Sequence, residues 1–512
     1  MKNRLALVGA SLAVVLALAA CSPEPAPGPS TDPAGTGPEG TISVGVPLDV
    51  ITFDPHRSVM GPMMTYLTPL YDTLIRRTAD GDLVASVATE WGYTDDAQLT
   101  FQLTLRDDVT FADGAPVDAA AVAANIEDAR DAQGPFSNGL AAVEGVEAGD
   151  GTVTLNLSTQ VPNLENTLAG PAGMLVAPDA LGTDALGSAP AGSGAYELDP
   201  ASVSGATFVY TARDGYWNQE AYGPQTLNLV VLSDTDARLN ALISGQIDAT
   251  VVFVQQAGTA ESAGLEVLSQ PLNFLGIALL DRDGNAVPAL ADRQVRQALN
   301  FAVDREAIVD ALAFGYGEPG AQMFASNSPA FSADADALYT YDPDKARDLL
   351  ADAGYAGGLT IPVFSEARFG SYLEAVDGYL REVGVTLDIT LADSGLIPSW
   401  SSGEYPATMV QFGVNDELSM IQSWALPESP NNPFGTVLPG IDGLLNELAA
   451  ATTADERNAI YQQISYEVAD EAWFLNTHVL DVLYAYNPEK VGGIEAYLGN
   501  SVPYVYGWTV TG

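Results

Sequence analysis

The stretch Leu83–Gly114, LVASVATEWGYTDDAQLTFQLTLRDDVTFADG, decides the fold. Within it Phe101, Leu103 and Leu105 alternate with Gln102, Thr104 and Arg106, the period of two that a strand with one buried face requires. Asp113-Gly114 supplies a turn after Val109–Phe111, and Asp118 stands where an N-cap belongs, ahead of a helix with Val122 and Ile126 on one face. Strand, turn and helix in succession predict an α/β unit.

The same alternation runs outward from Thr41 to the end of the chain, with no repeat and no second long linker. Asp342-Pro343 places a cap and an N1 proline before a helix over Lys345–Ala353, and Gly354 falls at C′. A helix over Ser371–Val383 leads through Gly384 into a strand marked by Val385, Leu387, Ile389 and Leu391. Thr453 and Glu456 form a capping box before a helix bearing Ile460, Ile464 and Val468. Asp304 is placed to cap the helix with Ile308, Val309 and Leu312, and Gly245 and Gly315 to end helices. The 512 residues, 47% hydrophobic, exceed one domain of about 100 to 200 residues, so two or more lobes are expected.

The chain carries 66 acidic and 19 basic residues, a formal charge of -47. Such a surface repels phosphate backbones, and nucleic acid is excluded as a partner. The acids are spread among apolar residues, which is how a solvated globular surface reads. A single cysteine, Cys21, excludes intrachain disulfides and cysteine zinc sites, and His56 and His478 are the only histidines, so no cofactor or metal is expected.

Lys2 and Arg4 precede a 16-residue apolar run, Leu5–Ala20, which is short for a bilayer span of about 20 residues and fits a secretory signal over 1–20. Leu18-Ala19-Ala20-Cys21 resembles a bacterial lipobox, which implies that Cys21 is lipidated and that the protein sits anchored on the outer face of the cell membrane. Ser22–Gly40 holds six prolines and four glycines in nineteen residues and reads as a tether that reaches up to about 60 Å.

Taken in order, a series of segments resembles the extracellular solute-binding protein family 5, which includes dipeptide-, oligopeptide- and nickel-binding lipoproteins of ABC importers. Phe53-Asp54-Pro55-His56 and Leu70–Leu74 resemble its early segments, and Leu83–Gly114 its most specific signature. Gly192-Ser193-Gly194-Ala195-Tyr196 is similar to its GTGPY turn, Tyr216-Trp217-Asn218 to its YW segment, and Leu242–Asp248 to its SGEID segment. Asp292–Leu299 with Ala302–Arg305, and YDPDKARDLLADAGY over Tyr341–Tyr355, follow its pattern closely. Most of these residues report fold; Trp91 and Trp217 are expected in the core.

The resemblance implies an α/β, type II periplasmic-binding-protein-like fold with two lobes and a hinge. Lobe I is expected over 41–69, 179–270 and 480–512, with an extra subdomain over 70–178, and lobe II over 271–479. It also implies a monomer that captures a peptide-like ligand between the lobes and passes it to an ABC permease with its ATPase subunits, and no enzymatic activity. A secreted hydrolase and a sensor lipoprotein without a permease are the alternatives.

Ligand contacts follow from the same resemblance. Ile51 and Thr52 match the early loop that offers backbone groups to ligand, and Asn273 and Phe274 follow an interlobe crossing expected at Gln270-Pro271. Met409–Glu417 stands where the family carries the acid for the ligand's amine, with either Asn415 or Asp416 at that position and Phe412 in place of its tryptophan. Trp400 and Trp424 flank the segment and either line pockets or pack.

Gly315–Gly320 satisfies G-x-G-x-x-G but follows a helix and carries Pro319 where free N–H groups are needed. Asp281–Asn285 resembles a calcium loop with its glycine misplaced, and a D-G hairpin turn is expected instead. No G-x-S-x-G, S-x-x-K or H-E-x-x-H occurs.

Overall fold

A computed structural model describes residues 39–59, 61–132, 134–393, 401–413 and 417–512. Its largest element is an 11-stranded mixed sheet with a separate hydrophobic core at each end. At one end Thr41–Val46 lies parallel between Thr226–Val231 and Ala249–Val252, and the alternate residues Ile42, Val44, Leu227 and Leu229 are buried. At the other, Leu359–Glu366 lies parallel between Val385–Ala392 and Ala407–Gly413, burying Ile361, Val363, Val385 and Leu387. These are the two lobes.

Two long antiparallel strands, Glu266–Leu279 and Phe474–Tyr486, connect them. Glu266 pairs with Tyr486 beside Ala249 in the first lobe, and Ala278 pairs with Phe474 beside Thr408 in the second. Their register slips between Pro271 and Asn273. Proline has no N–H to give to the ladder, which accounts for this slip; a second falls between Leu275 and Gly276.

A second, four-stranded antiparallel sheet runs in the order Ala88–Tyr93, Thr100–Leu105, Thr152–Leu157, Val143–Ala148. Phe101 and Leu103 share its core with Val122 and Ile126 of the helix Ala119–Asp131, whose cap is the Asp118 carboxylate accepting from the Ala121 N–H at 2.9 Å. Trp91 and Trp217 sit half-buried at the rim of that core. An indole N–H needs a partner: that of Trp217 donates to the buried Asp72 carboxylate at 3.2 Å, while the Arg106 guanidinium lies 3.8 Å over the ring.

Local signals produced their elements. Asp342 caps the helix Pro343–Asp352 by accepting from Lys345 N–H, and Thr453 and Glu456 make a reciprocal capping box on Ala454–Asp470. Gly194 permits a close approach: a Cβ there would stand 2.3 Å from the Leu70 carbonyl carbon. The Asp281 segment corrects the hairpin expectation. Its carboxylate accepts from the N–H groups of Asn285, Ala286 and Val287 at 2.6–2.8 Å, and the turn leads into the helix Arg293–Phe301 rather than a second strand. With three backbone donors met by one side chain, no partner strand is required.

Candidate ligand-binding site

Two cavities of about 630 and 380 Å³ lie between the lobes and share Arg77, Asn163, Asn166, Leu498 and Gly499 in their walls, so they are chambers of one cleft. The larger is lined by Phe136, which packs on the core of the four-stranded sheet, by Tyr497 and Tyr504 of the C-terminal segment, and by Ser419 and Gln422 of the helix Glu417–Ala425. Burial pushes the phenols of Tyr497 and Tyr504 up to about 12, which keeps them neutral hydrogen-bond donors. Gln270, on the long strand Glu266–Leu279, donates to the Tyr497 carbonyl at 2.8 Å and fixes that wall to the strand.

The segment around the helix Leu164–Leu168 and the helix Ala454–Asp470 touch across the cleft. Arg457 Nη2 donates to Glu165 Oε1 at 2.9 Å, with both side chains about five-sixths buried, and Asn163 Nδ2 donates to the Tyr461 hydroxyl at 2.7 Å. Arg457 and Tyr461 are four apart on one helix and therefore share a face.

Asp54, His56 and Asp128 bring three metal-type ligand atoms together. Arg57 already lies between the two carboxylates, 2.7 Å from Asp54 and 3.1 Å from Asp128, while His56 meets Asp128 through Nδ1 at 2.8 Å and the Met174 carbonyl through Nε2 at 3.1 Å. Burial works to raise Asp128, but hydrogen bonds from His56 and Arg57 hold its carboxyl down at about 2. The group is an ion-pair network that ties the early loop to the subdomain helix.

The bacterial extracellular solute-binding proteins, family 5, match the chain over residues 82–432. The chain belongs to this family. This family-5 protein is 30% identical to the glutathione-binding protein of Salmonella paratyphi A over 62% of its own length and 63% of that relative's. It is 24% identical to the nickel-binding periplasmic protein of Escherichia coli, over 90% and 93% of the two chains. Its fold superposes on the unliganded open form of the periplasmic murein tripeptide-binding protein with a TM-score of 0.80 at 19% identity, covering 93% of this chain and 99% of that one. The two-lobe type II periplasmic-binding-protein fold is thereby established. Among the described residues no helix is long and apolar enough to cross a membrane.

Within this family-5 protein the expected contact residues separate. Phe274 and Trp424 are core: Phe274 is 0% exposed, and a ring stack runs from it through Phe412 to Trp424 at centroid spacings of 4.8 and 5.0 Å. Indole and phenyl surface is better removed from water than left lining a wet cleft, and Phe474 completes the packing. Ile51 is exposed, and the Thr52 hydroxyl accepts from Asp54 N–H at 3.1 Å; neither lines the two cavities. Asn273 pairs with Gly413, which is in the wall of the larger chamber, and Glu417 is in that of the smaller. Asn415 and Asp416, between those two, lie outside the described residues, as do Trp400 and Cys21.

Arg77, Asn163, Asn166, Tyr497, Tyr504 and Arg457 were not singled out by the sequence. They come from the subdomain, the C-terminal segment and lobe II, so no local spacing relates them. The available signal was scarcity: Arg76-Arg77 is an adjacent pair of cations in a chain with only 19.

Proposed function

We propose that this chain is the lipid-anchored, extracytoplasmic binding subunit of an ABC importer, which closes two lobes on a peptide-like ligand and hands it to a permease. The observation that carries the reading is the two-chamber cleft whose walls come from both lobes, bridged by two long strands at a proline slip. Such a cleft encloses a ligand by hinge closure. The glutathione- and murein tripeptide-binding relatives support a peptide-like cargo.

In this reading Cys21 carries the lipid, and Ser22–Gly40 lets the monomeric body range between lipid and permease. The lobe boundaries are those implied by the resemblance, with the crossing at Gln270-Pro271. Asn415 or Asp416 meets the ligand's amine, supported by Gly413 and Glu417 lining the cleft on either side, with Asn273 behind them. Ile51 and Thr52 belong to the ligand only if the loop after Val46 moves on closure.

Small-angle scattering of the natively purified protein, with di- to pentapeptides added, tests capture: a fall in radius of gyration without hydrolysis supports it, and peptide turnover sinks it in favour of a hydrolase. Cys21→Ser tests the anchor. Release of the protein into the medium is expected; retention with the membrane fraction would refute lipid attachment there.

A further inference from the structure

Arg77 ends the short strand Ile75–Arg77 and enters the walls of both chambers. It is the sole charged side chain lining the larger chamber among the described residues. In a chain with 66 acids, ten arginines are held in ion pairs, yet Arg77 has none among the described residues. Its hydrogen-bond partner is neutral: Nη2 donates to Asn166 Oδ1 at 2.9 Å, which orients the guanidinium and leaves its remaining donors unused among the described residues. Its neighbour Arg76 is instead committed to the Tyr506 ring, 5.1 Å from its centroid.

The rest of the larger chamber is uncharged. Asn138, Asn163, Thr167, Gln422 and Ser423 offer amide and hydroxyl groups, and Phe136 and the tyrosines offer ring faces. One oriented guanidinium on the uncharged side of the cleft, with Asp80, Asp82, Glu165 and Glu417 confined to the walls of the smaller chamber, selects a planar anion over a neutral isostere, because a carboxylate receives two parallel N–H bonds from the fork. The opposite choice, a cationic group beside Arg77, is penalised by like-charge repulsion.

We infer that Arg77 receives a carboxylate of the captured ligand in the larger chamber, so that the cargo is a small molecule with an anionic tip and an uncharged, amide-like body. This deepens the proposed function and rests on the cleft being the ligand site.

The test uses the full chain and a mixed library of di- to pentapeptides with free or amidated C-termini, together with simple carboxylic acids and their primary amides, bound species being identified by native mass spectrometry and measured by calorimetry. The expected result is that free acids bind roughly tenfold to a hundredfold tighter than their amides, the range of one charge-assisted bidentate contact. Arg77→Gln removes that preference, and Arg77→Lys restores part of it, because the charge returns without the fork. Arg347→Gln, the same charge change on the exposed surface, leaves the preference intact and controls for net charge. If peptides bind but acids and amides bind alike, or if Arg77→Gln keeps the preference, the Arg77 assignment is overturned while peptide capture stands. If only non-peptide acids bind, and Arg77→Gln abolishes their preference, the assignment stands and the peptide part of the proposed function fails. Absence of any acid-over-amide preference throughout the library overturns the assignment.

Discussion

Removing one partner of the Glu165–Arg457 pair should open the protein more than removing both. At 2.9 Å, and with an effective dielectric near 20, the charges attract by about 6 kcal/mol before desolvation is counted. With side chains only 14% and 16% exposed, burying the two groups costs several kcal/mol, so the intact pair stands near balance. A lone carboxylate or guanidinium left in that wall has the desolvation without the attraction. Glu165→Gln or Arg457→Met should therefore cost the lobe-contacting form about 2 to 3 kcal/mol, roughly 30- to 150-fold in the closed-to-open ratio, and the double variant only about 1 kcal/mol. The Asn163–Tyr461 bond remains in all three and keeps the contact geometry comparable. Pulsed electron-spin distance measurements read the ratio, with labels at the exposed positions Glu144 and Glu447 and Cys21 replaced by serine. Additivity of the two single variants to within a few tenths of a kcal/mol would refute the account, since independent surface charges behave that way.

Two buried groups give opposite responses to acid. His478 is 1% exposed, both ring nitrogens lack a partner among the described residues, and burial pushes it down to about 4 from 6.5. The fold prefers the neutral ring, so this stability is complete above pH ~6.5 and is lost as pH falls to ~4, about 3 kcal/mol in all. His478→Phe, which keeps the ring packed against Tyr372, should remove that loss; an unchanged dependence of the urea midpoint between pH 7 and 4.5 would contradict it. Burial likewise raises Asp72 from 3.8 to about 6, against the opposing hydrogen bonds from Tyr216, Trp217 and Ser193. Here the protonated form is favoured in the fold, so stability is greatest below pH ~3.8 and declines by about 3 kcal/mol as pH rises to ~6. Asp72→Asn should abolish that decline, leaving a protein whose midpoint only rises across the window, whereas His478→Phe leaves one whose midpoint only falls.

What the sequence determined by itself is whatever depends on neighbours along the chain. Caps such as Asp118, Asp342 and the Thr453–Glu456 box act within one turn, and the alternation at Phe101–Leu105 sets a strand's buried face whatever packs on it. The tertiary structure alone decided which side chains meet in the cleft, because Arg77, Asn166, Tyr504 and Arg457 are brought together by four separate passes of the chain. It also decided that Trp424 and Phe274 pack while Trp217 reaches the rim, since an aromatic's place depends on what covers its faces and what answers its N–H. Arg77 shows the difference most directly: its charge is written in the sequence, but that it forms no ion pair among the described residues and is oriented by Asn166 instead is a property of the folded surface.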